Sequence, residues 1–239
     1  MLAKQPKIIV LHDYFGICGG GERLILDLCA GIGADLCTAY WTDNSYPKPP
    51  DLNIRVLSDK EPKGVKIFAL KQLFLSRTAF LKDYDICIYS GQVSIYAVKN
   101  HDNGQNIYYC HTPPRYIFDR RDFYRSRYPW LLQPIFELLM TYLAFSYQRC
   151  IRNMDTVLTN SNNVKTRLLN YVGIESQLVY PPIDIDCFTW QSQGDYYLST
   201  ARLDPLKRVD KIIEAFKLLP TKKLVILSGG SRACGQNVA

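Results

Sequence analysis

Short apolar runs alternate along the chain with segments whose apolar residues recur at the spacing of an α-helix. Residues 8–11, 85–90 and 106–111 are runs of the kind found in buried parallel strands. Residues 22–30 and 65–81 instead carry apolar positions at helical spacing. Further strands are predicted at 35–41, 51–57, 156–159 and 177–180, and further helices at 93–98 and 162–171. This alternation predicts an α/β fold built on a doubly wound, mostly parallel sheet.

A polar, irregular stretch over residues 184–194 interrupts this pattern and predicts a linker. We therefore expect one complete domain over residues 1–184, followed by the linker and the start of a second domain over residues 185–239. Only one β-α-β unit is predicted beyond the linker, at 196–201, 207–219 and 223–227. Such a unit cannot bury its apolar faces alone, so the sequence indicates a chain that stops inside its second domain.

Charge and cysteine content narrow the class of protein. The 239 residues carry a net charge of +7, which favours phosphates, nucleotides or acidic lipid surfaces as partners. The eight cysteines are scattered through apolar runs without a C-x-x-C pair, which predicts reduced core residues in a cytoplasmic protein. We expect no signal peptide, because no apolar h-region follows the amino terminus, and no apolar run reaches the ~18–20 residues of a spanning helix.

A strand-to-helix turn near the carboxyl end is flanked by two cations. Arg202 ends a strand pattern, and Lys207 opens a helix pattern after a turn through Asp204 and Pro205. Free N–H groups and the helix dipole favour an anion at such a turn. Cations in the first helical turn oppose the dipole, so local stability does not explain Lys207 and Arg208, whereas a diphosphate ligand does. The alternative is a solvated basic turn with Arg202 in a surface ion pair.

Three glycines follow the first predicted strand. Gly19, Gly20 and Gly21 would let backbone N–H groups approach a ligand closely, next to a helix amino terminus. The alternative is a turn that merely requires glycines. A nicotinamide-cofactor fingerprint competes as an interpretation, because Asp43 lies about where a ribose-binding acid belongs. That fingerprint also requires a third glycine, and Leu24 stands at its position.

Other polar residues fall at the carboxyl ends of predicted strands, where doubly wound sheets bind ligands. His111 ends a buried strand before a rigid Thr-Pro-Pro loop and is a candidate for catalysis or substrate contact. A purely structural histidine is the alternative. Arg115 follows and could bind a phosphate group of an acceptor substrate, or it could be part of a solvated basic surface. Because the glycines, His111 and residues 160–161 share this edge of the sheet, we expect a single cleft.

Three further residues are candidates for contact with an acceptor substrate, and for each a purely structural role explains the sequence equally well. Asp13 lies between the first strand and the glycines, where it could instead cap a loop. Asn160 and Ser161 precede a predicted helix, and either could be its cap. We identify no group of residues around His12 or His101.

The segment 120–148 interleaves arginines with aromatic residues and then becomes strongly apolar. Basic and aromatic residues beside an apolar helix suit peripheral attachment to an anionic membrane. A long helix packed on the sheet of its own domain explains the pattern equally well. Nucleic acid is not expected as a partner, because no RNA-binding motif accompanies these residues.

Three of these segments together resemble motifs of one family. Residues 202–210, residues 109–115 and the glycine-rich residues 19–22 resemble, in order and spacing, segments of glycosyltransferase family 4, in its mannosyltransferase-like branch. The resemblance covers nearly the whole chain. It implies a GT-B fold, with a Rossmann-like acceptor-side domain over residues 1–184 and the first β-α-β unit of a nucleotide-sugar-binding domain over residues 185–239.

The resemblance also implies a reaction. Family members transfer a sugar, here mannose, with retention from a GDP- or UDP-linked donor to a saccharide or lipid-linked acceptor, without a metal or other cofactor. Arg202 and Lys207 would bind and neutralise the departing diphosphate. His111 would orient the sugar or the attacking hydroxyl, and Gly20 and Gly21 would lie against the donor phosphates or the acceptor. The implied location is cytoplasmic, with peripheral contact at the inner face of a membrane.

One departure from the family is large. Its paired-glutamate motif, which contacts the donor sugar and the ribose, belongs further along the second domain, and this sequence does not supply it. We therefore expect little or no transferase activity from the 239-residue chain. Two alternatives remain open: a non-catalytic acceptor- or membrane-binding module, and one half of an enzyme that a second polypeptide completes.

Overall fold

A computed structural model of the chain describes residues 5–183, 185–201, 203 and 207–228. The chain divides into two compact units, of which the first extends to Pro182 and the second begins at Ile183. Each unit is described by itself below.

The first unit is built on a parallel sheet of seven strands. These are β1 (Ile8–His12), β2 (Asp35–Thr38), β3 (Ile54–Val56), β4 (Ile86–Ser90), β5 (Gln105–Cys110), β6 (Thr156–Thr159) and β7 (Gln177–Leu178). They lie in the order β3-β2-β1-β4-β5-β6-β7, and every neighbouring pair is parallel. The strand order changes direction between β1 and β4. Doubly wound sheets bind ligands in the crevice at such a point. The predicted α/β class is confirmed.

Five α-helices connect these strands. They are α1 (Gly20–Ile32), α2 (Lys66–Ser76), α3 (Arg121–Arg125), α4 (Gln133–Ile151) and α5 (Asn162–Val172). Short 3-10 helices occupy Ala79–Asp83, Ser94–Asn100 and Trp130–Leu132. The helical segments predicted over 65–81 are α2 and the first of these 3-10 helices. The break follows Ser76, and the Thr78 hydroxyl donates to the Phe74 carbonyl at 2.6 Å, in place of a continuing backbone bond.

Alternate strand residues build a core on each face of the sheet. Ile9 and Leu11 of β1 belong to one apolar cluster, whereas Val10 belongs to another. Helix α1 covers the Val10 side through Ile25, and α5 packs on the opposite side through Leu168. Helices therefore lie on both faces, as the sequence pattern predicts. Five buried cysteines have free thiols, in agreement with the expected core positions: Cys29, Cys37, Cys87, Cys110 and Cys150.

The part of the second unit that the structure describes contains one β-α-β unit. Strands β8 (Tyr196–Ser199) and β9 (Lys223–Ile226) pair in parallel, and α6 (Val209–Lys217) connects them. Helix α6 begins two residues later than predicted, because Arg208 has a left-handed backbone (φ 52°) and is the N-cap rather than part of the helix.

Candidate active site

The carboxyl ends of three adjacent strands bring two histidines and a serine together. His12 ends β1, Ser90 ends β4 beside it, and His111 follows β5. The Ser90 Oγ lies 2.7 Å from Nε2 of His111 and 3.4 Å from Nδ1 of His12. The two imidazole rings meet edge to face, with centroids 6.4 Å apart. The expectation that no group surrounds His12 is therefore wrong, since parallel pairing joins residues that are distant in sequence.

Both imidazoles are uncharged at neutral pH. Burial lowers the pKa of His12 to about 4, and a hydrogen bond to the backbone of Ser90 opposes this only in part. Burial also lowers the pKa of His111 to about 4; the nearby His12 lowers it further, and Asp13 raises it. A neutral imidazole offers one donor and one acceptor nitrogen. His111 can therefore orient a hydroxyl group, and it brings no positive charge of its own.

Asp13 closes the loop that follows β4. Its carboxylate accepts hydrogen bonds from the backbone N–H groups of Gln92 (2.7 Å), Val93 (2.8 Å) and Ser94 (2.7 Å). Burial raises the pKa of this carboxyl, and the three N–H donors act in the opposite direction. Gly91 has φ 121°, and a Cβ atom there would collide with the Asp13 carboxylate. These contacts give Asp13 the loop-capping role that the sequence left open beside an acceptor role.

The three glycines form the amino terminus of α1 rather than a separate loop. Gly19 is the N-cap, with extended backbone, and the helix begins at Gly20, two residues before its predicted start. All three lack a positive φ. A Cβ atom added at Gly20 or Gly21 would meet nothing within 4 Å. Neither backbone conformation nor packing within the described residues therefore requires glycine at these two positions.

Arg115 is held beside the loop that carries His111. Its guanidinium makes two bonds to Oδ2 of Asp119, at 2.8 and 3.0 Å. Arg167 of α5 binds the other oxygen of Asp119 at 2.8 Å and the Thr112 hydroxyl at 2.8 Å. Two guanidinium groups thus share one carboxylate, which leaves a net positive charge. Arg167 is not among the residues predicted from the sequence, because only the β6-α5 connection brings it to this loop.

The remaining predicted residues lie in two different places. Ser161 is the N-cap of α5, because its hydroxyl accepts from the Val164 N–H at 3.3 Å, and it also donates to the side chain of Asn160 at 3.2 Å. Lys207 is exposed and lies in the second unit, whereas Arg202 lies outside the described residues. Within the described ranges, His, Cys, Asp and Glu side chains do not converge in groups that could hold a metal ion.

Comparison with known proteins identifies curated relatives that match almost the whole chain. The chain is 27% identical to the Alpha-1,3/1,6-mannosyltransferase ALG2 of Kluyveromyces lactis, over 98% of the chain and 52% of that protein. It is 26% identical to the ALG2 of Candida glabrata, over 99% of the chain and 57% of that protein. No protein-family model matches the chain. The chain thus spans about half the length of the curated relatives that it matches.

A solved structure agrees on the fold. Anabaena Alr3699/HepE, crystallised in complex with UDP and glucose, superimposes with a TM-score of 0.62 over 93% of this chain and 61% of its own, at 14% identity. The chain therefore has the fold of GT-B glycosyltransferases, and the curated relatives that it resembles are mannosyltransferases. The predicted fold is confirmed, and so is the predicted resemblance to the mannosyltransferase-like branch. Among the described residues, no helix of this GT-B chain is long and apolar enough to cross a bilayer.

Proposed function

We propose that this chain is part of a retaining mannosyltransferase that transfers mannose from a nucleotide-sugar to a saccharide carried on a lipid. The first unit would hold the acceptor, and the second would begin the donor site. The observation that carries this proposal is the similarity to Alpha-1,3/1,6-mannosyltransferase ALG2 proteins over 98% and 99% of the chain. This sequence similarity extends through both units rather than one.

His111 would orient the transferred sugar or the attacking hydroxyl. Its position supports this role, because it lies at the carboxyl edge of the sheet and is only partly buried. Its ring is neutral at pH 7, as the low pKa requires. A neutral ring can donate to or accept from a sugar hydroxyl without adding charge next to the departing diphosphate.

The amino terminus of α1 would bind a phosphate or a sugar oxygen. Helix α1 has 13 residues, and its first N–H groups have no partner within the helix. Because nothing in the described structure requires glycine at Gly20 and Gly21, the absence of side chains is best explained by a ligand that approaches the backbone.

Arg115 and Arg167 would attract the phosphate groups of a lipid-linked acceptor. Asp119 neutralises one of these guanidinium groups at most, so the cluster keeps a positive charge beside the His111 loop. The carboxylate also holds both cations in place, which reduces the entropy lost when a phosphate binds. In the second unit, Arg202 and Lys207 would bind the donor diphosphate and stabilise it as a leaving group.

An exposed apolar stripe on α4 supports contact with a membrane. One face of this helix packs on its own domain through Phe136, Met140 and Leu143. Another face exposes apolar side chains at alternating spacings of three and four residues, namely Ile135 (55% exposed), Leu138 (71%), Tyr142 (52%) and Phe145 (65%). Arg149 continues this stripe four residues further and is also exposed. The surface suits an anionic leaflet at the cytoplasmic face.

Calorimetric titration of the chain tests the donor part of the proposal. GDP, UDP, GDP-mannose and UDP-glucose are titrated into the wild-type chain and into an Arg202→Ala/Lys207→Ala variant. We expect GDP and GDP-mannose to bind the wild type, and the double variant to lose this binding. A Lys217→Ala/Lys222→Ala variant is the matched control, since both lysines are exposed cations of the same unit.

Each outcome of the titration has a definite meaning. Binding that persists in the control and disappears in the double variant supports the diphosphate site. Equal binding in both variants contradicts the assignment of Arg202 and Lys207. Absence of binding to all four compounds contradicts a donor site in this chain.

A further inference from the structure

Ser90 lies between the two imidazoles and has no solvent exposure. Its hydroxyl has one proton, so it can donate to only one ring at a time. The contact with Nε2 of His111, at 2.7 Å, is short, and the contact with Nδ1 of His12, at 3.4 Å, is long. If the hydroxyl donates to one ring, it must accept from the other for both contacts to be hydrogen bonds.

Only two arrangements of protons satisfy both contacts. In the first, His12 carries its proton on Nδ1 and donates to Ser90, which donates in turn to Nε2 of His111; His111 then carries its proton on Nδ1. In the second, His111 donates from Nε2 to Ser90, which donates to Nδ1 of His12. The tautomers of the two histidines are therefore coupled: both have the proton on Nδ1, or both have it on Nε2.

The two distances favour the first arrangement. O–H donors make hydrogen bonds of about 2.5–3.0 Å. The Ser90 hydroxyl can therefore donate to Nε2 of His111 at 2.7 Å, whereas its 3.4 Å contact with Nδ1 of His12 is too long for an O–H donor. Nδ1 is the nitrogen of His12 that faces Ser90. Once Nδ1 of His12 is a donor, the proton of the Ser90 hydroxyl is directed to His111. Nδ1 of His111 makes no hydrogen bond within the described part of the chain, so its proton is available to a ligand.

We propose that Ser90 and His12 are positioning residues that hold His111 in its Nδ1–H tautomer. His111 then presents a hydrogen-bond donor, rather than a general base, to the oxygen that it contacts. The role toward a sugar or acceptor oxygen rests on the proposed function, whereas the tautomer is a property of the chain itself. Ser90 thus acts through His111, without contact to the reacting atoms.

Nitrogen NMR of the full chain tests the tautomers directly. The sequence has only three histidines, so single His→Gln variants assign every imidazole signal. In long-range proton–nitrogen spectra at neutral pH, we expect both His12 and His111 to show the Nδ1–H pattern. A predominant Nε2–H pattern at His111, or opposite tautomers at the two residues, would overturn the proposal.

Two variants test the coupling. Ser90→Ala removes the bridge, and we expect the ratio of Nδ1–H to Nε2–H at His111 to fall about fivefold, the effect of losing one ordinary hydrogen bond. Ser90→Thr keeps the hydroxyl and should restore the ratio. His12→Phe removes the upstream donor and should also lower it, which keeps the test decisive if Ser90→Ala does not fold. An unchanged ratio in both Ser90→Ala and His12→Phe would overturn the coupling.

A matched control and a ligand titration complete the design. Thr38 pairs with His12 from the other side, and its buried hydroxyl has no hydrogen-bond partner, so Thr38→Val should leave both tautomers unchanged. A loss of the Nδ1–H pattern in Thr38→Val would contradict a specific role for Ser90. If the tautomers are as expected but GDP-mannose does not bind, the proposed function fails and the positioning inference stands. If GDP-mannose binds but His111 is predominantly in the Nε2–H tautomer, the positioning inference fails and the proposed function stands.

Discussion

At the scale of single residues, one carboxylate organises the loop next to the candidate site. Asp13 satisfies three successive backbone N–H groups after β4, and Gly91 leaves the space that the carboxylate fills. Ser90 immediately precedes this loop, so the position of its hydroxyl depends on the same contacts. Asp13 therefore influences the contact between Ser90 and His111 by holding the backbone of this loop.

Replacing Asp13 by Asn should destabilise the first unit. The amide places an NH₂ group against a backbone donor, so at least one N–H loses its acceptor while remaining partly buried. Hydrogen bonds to a charged group contribute about 1.5–3 kcal/mol, and we expect a loss of that order in the free energy of unfolding. Urea unfolding measures it. Asp43→Asn, at an exposed site, is the control and should change stability by less than about 0.5 kcal/mol. An Asp13→Asn variant as stable as this control would contradict the capping role.

The two low histidine pKa values predict how stability depends on pH. Burial lowers the pKa of His12 and His111 from 6.5 to about 4, so between these values the unfolded chain binds protons that the folded chain does not. The free energy of unfolding should therefore fall as the pH is lowered through this window. From pH 7 to pH 5 we expect a loss of about 2 kcal/mol for each histidine.

A His111→Gln variant separates the two contributions. Urea unfolding at several pH values should show that the variant loses about half as much stability as the wild type over this range, because one of the two titrating groups is gone. Parallel profiles for the variant and the wild type would show that His111 keeps an ordinary pKa in the folded chain.

At the scale of elements, hydrophobic periodicity predicted nearly every strand and helix of the first unit. The differences lie at element ends, where tertiary contacts decide. The strand predicted at 35–41 ends at Thr38. Trp41 still forms an isolated β-bridge with Phe15, and the two rings stack with their centroids 3.8 Å apart. The same pattern could not separate the two faces of α4, because apolar residues occur on the packed face and on the exposed stripe alike.

The exposed stripe of α4 should bind anionic membranes. We expect the chain to sediment with vesicles of phosphatidylcholine and phosphatidylserine, and less so at high salt or without phosphatidylserine. Leu138→Ser and Phe145→Ser should each weaken binding about tenfold, since each removes an apolar side chain worth about 1.5 kcal/mol on burial.

The control for this experiment is another exposed leucine of the first unit. Leu169 of α5 is 47% exposed, and Leu169→Ser should leave vesicle binding unchanged. Equal losses in all three variants would mean that adsorption is not specific to α4. Absence of sedimentation with the wild-type chain would contradict membrane contact through this stripe.

At the scale of the whole molecule, the second unit begins with an exposed segment. The side chains of Ile183, Ile185, Phe188 and Trp190 are between 73% and 83% exposed. The only regular structure described between Ile183 and Asp195 is the short 3-10 turn Ile185–Cys187. Such a segment meets the usual conditions for proteolysis, namely exposure and few backbone hydrogen bonds.

Limited proteolysis should separate the units at defined positions. Chymotrypsin at low dose should cut first after Phe188 or Trp190 and leave a fragment that contains the complete seven-stranded sheet. Trypsin is the matched control, because residues 183–195 contain no lysine or arginine. Mass spectrometry of the first fragments identifies the positions of the first cuts. First cuts within the seven-stranded unit would contradict the division.

The sequence alone predicted the family and the edge of the sheet at which the polar residues gather, but not the contacts among them. The Asp13 capping bonds and the contact of Ser90 with His12 join residues 78 to 81 positions apart, and the bond from Arg167 to Thr112 spans 55. Local sequence patterns do not indicate such pairs, because the order of the strands in the sheet decides which of these residues become neighbours. The diphosphate turn remains a prediction, since Arg202 lies outside the described residues.

The buried thiols of the first unit make its folding visible to a simple reagent. Burial raises the pKa of Cys29, Cys37 and Cys87 to about 12 and that of Cys110 to about 11. Alkylating agents react with the thiolate, so these side chains are inert while the sheet is closed. Each becomes reactive when its strand or helix opens. The mass added by iodoacetamide over time therefore records which elements open first, without any engineered reporter.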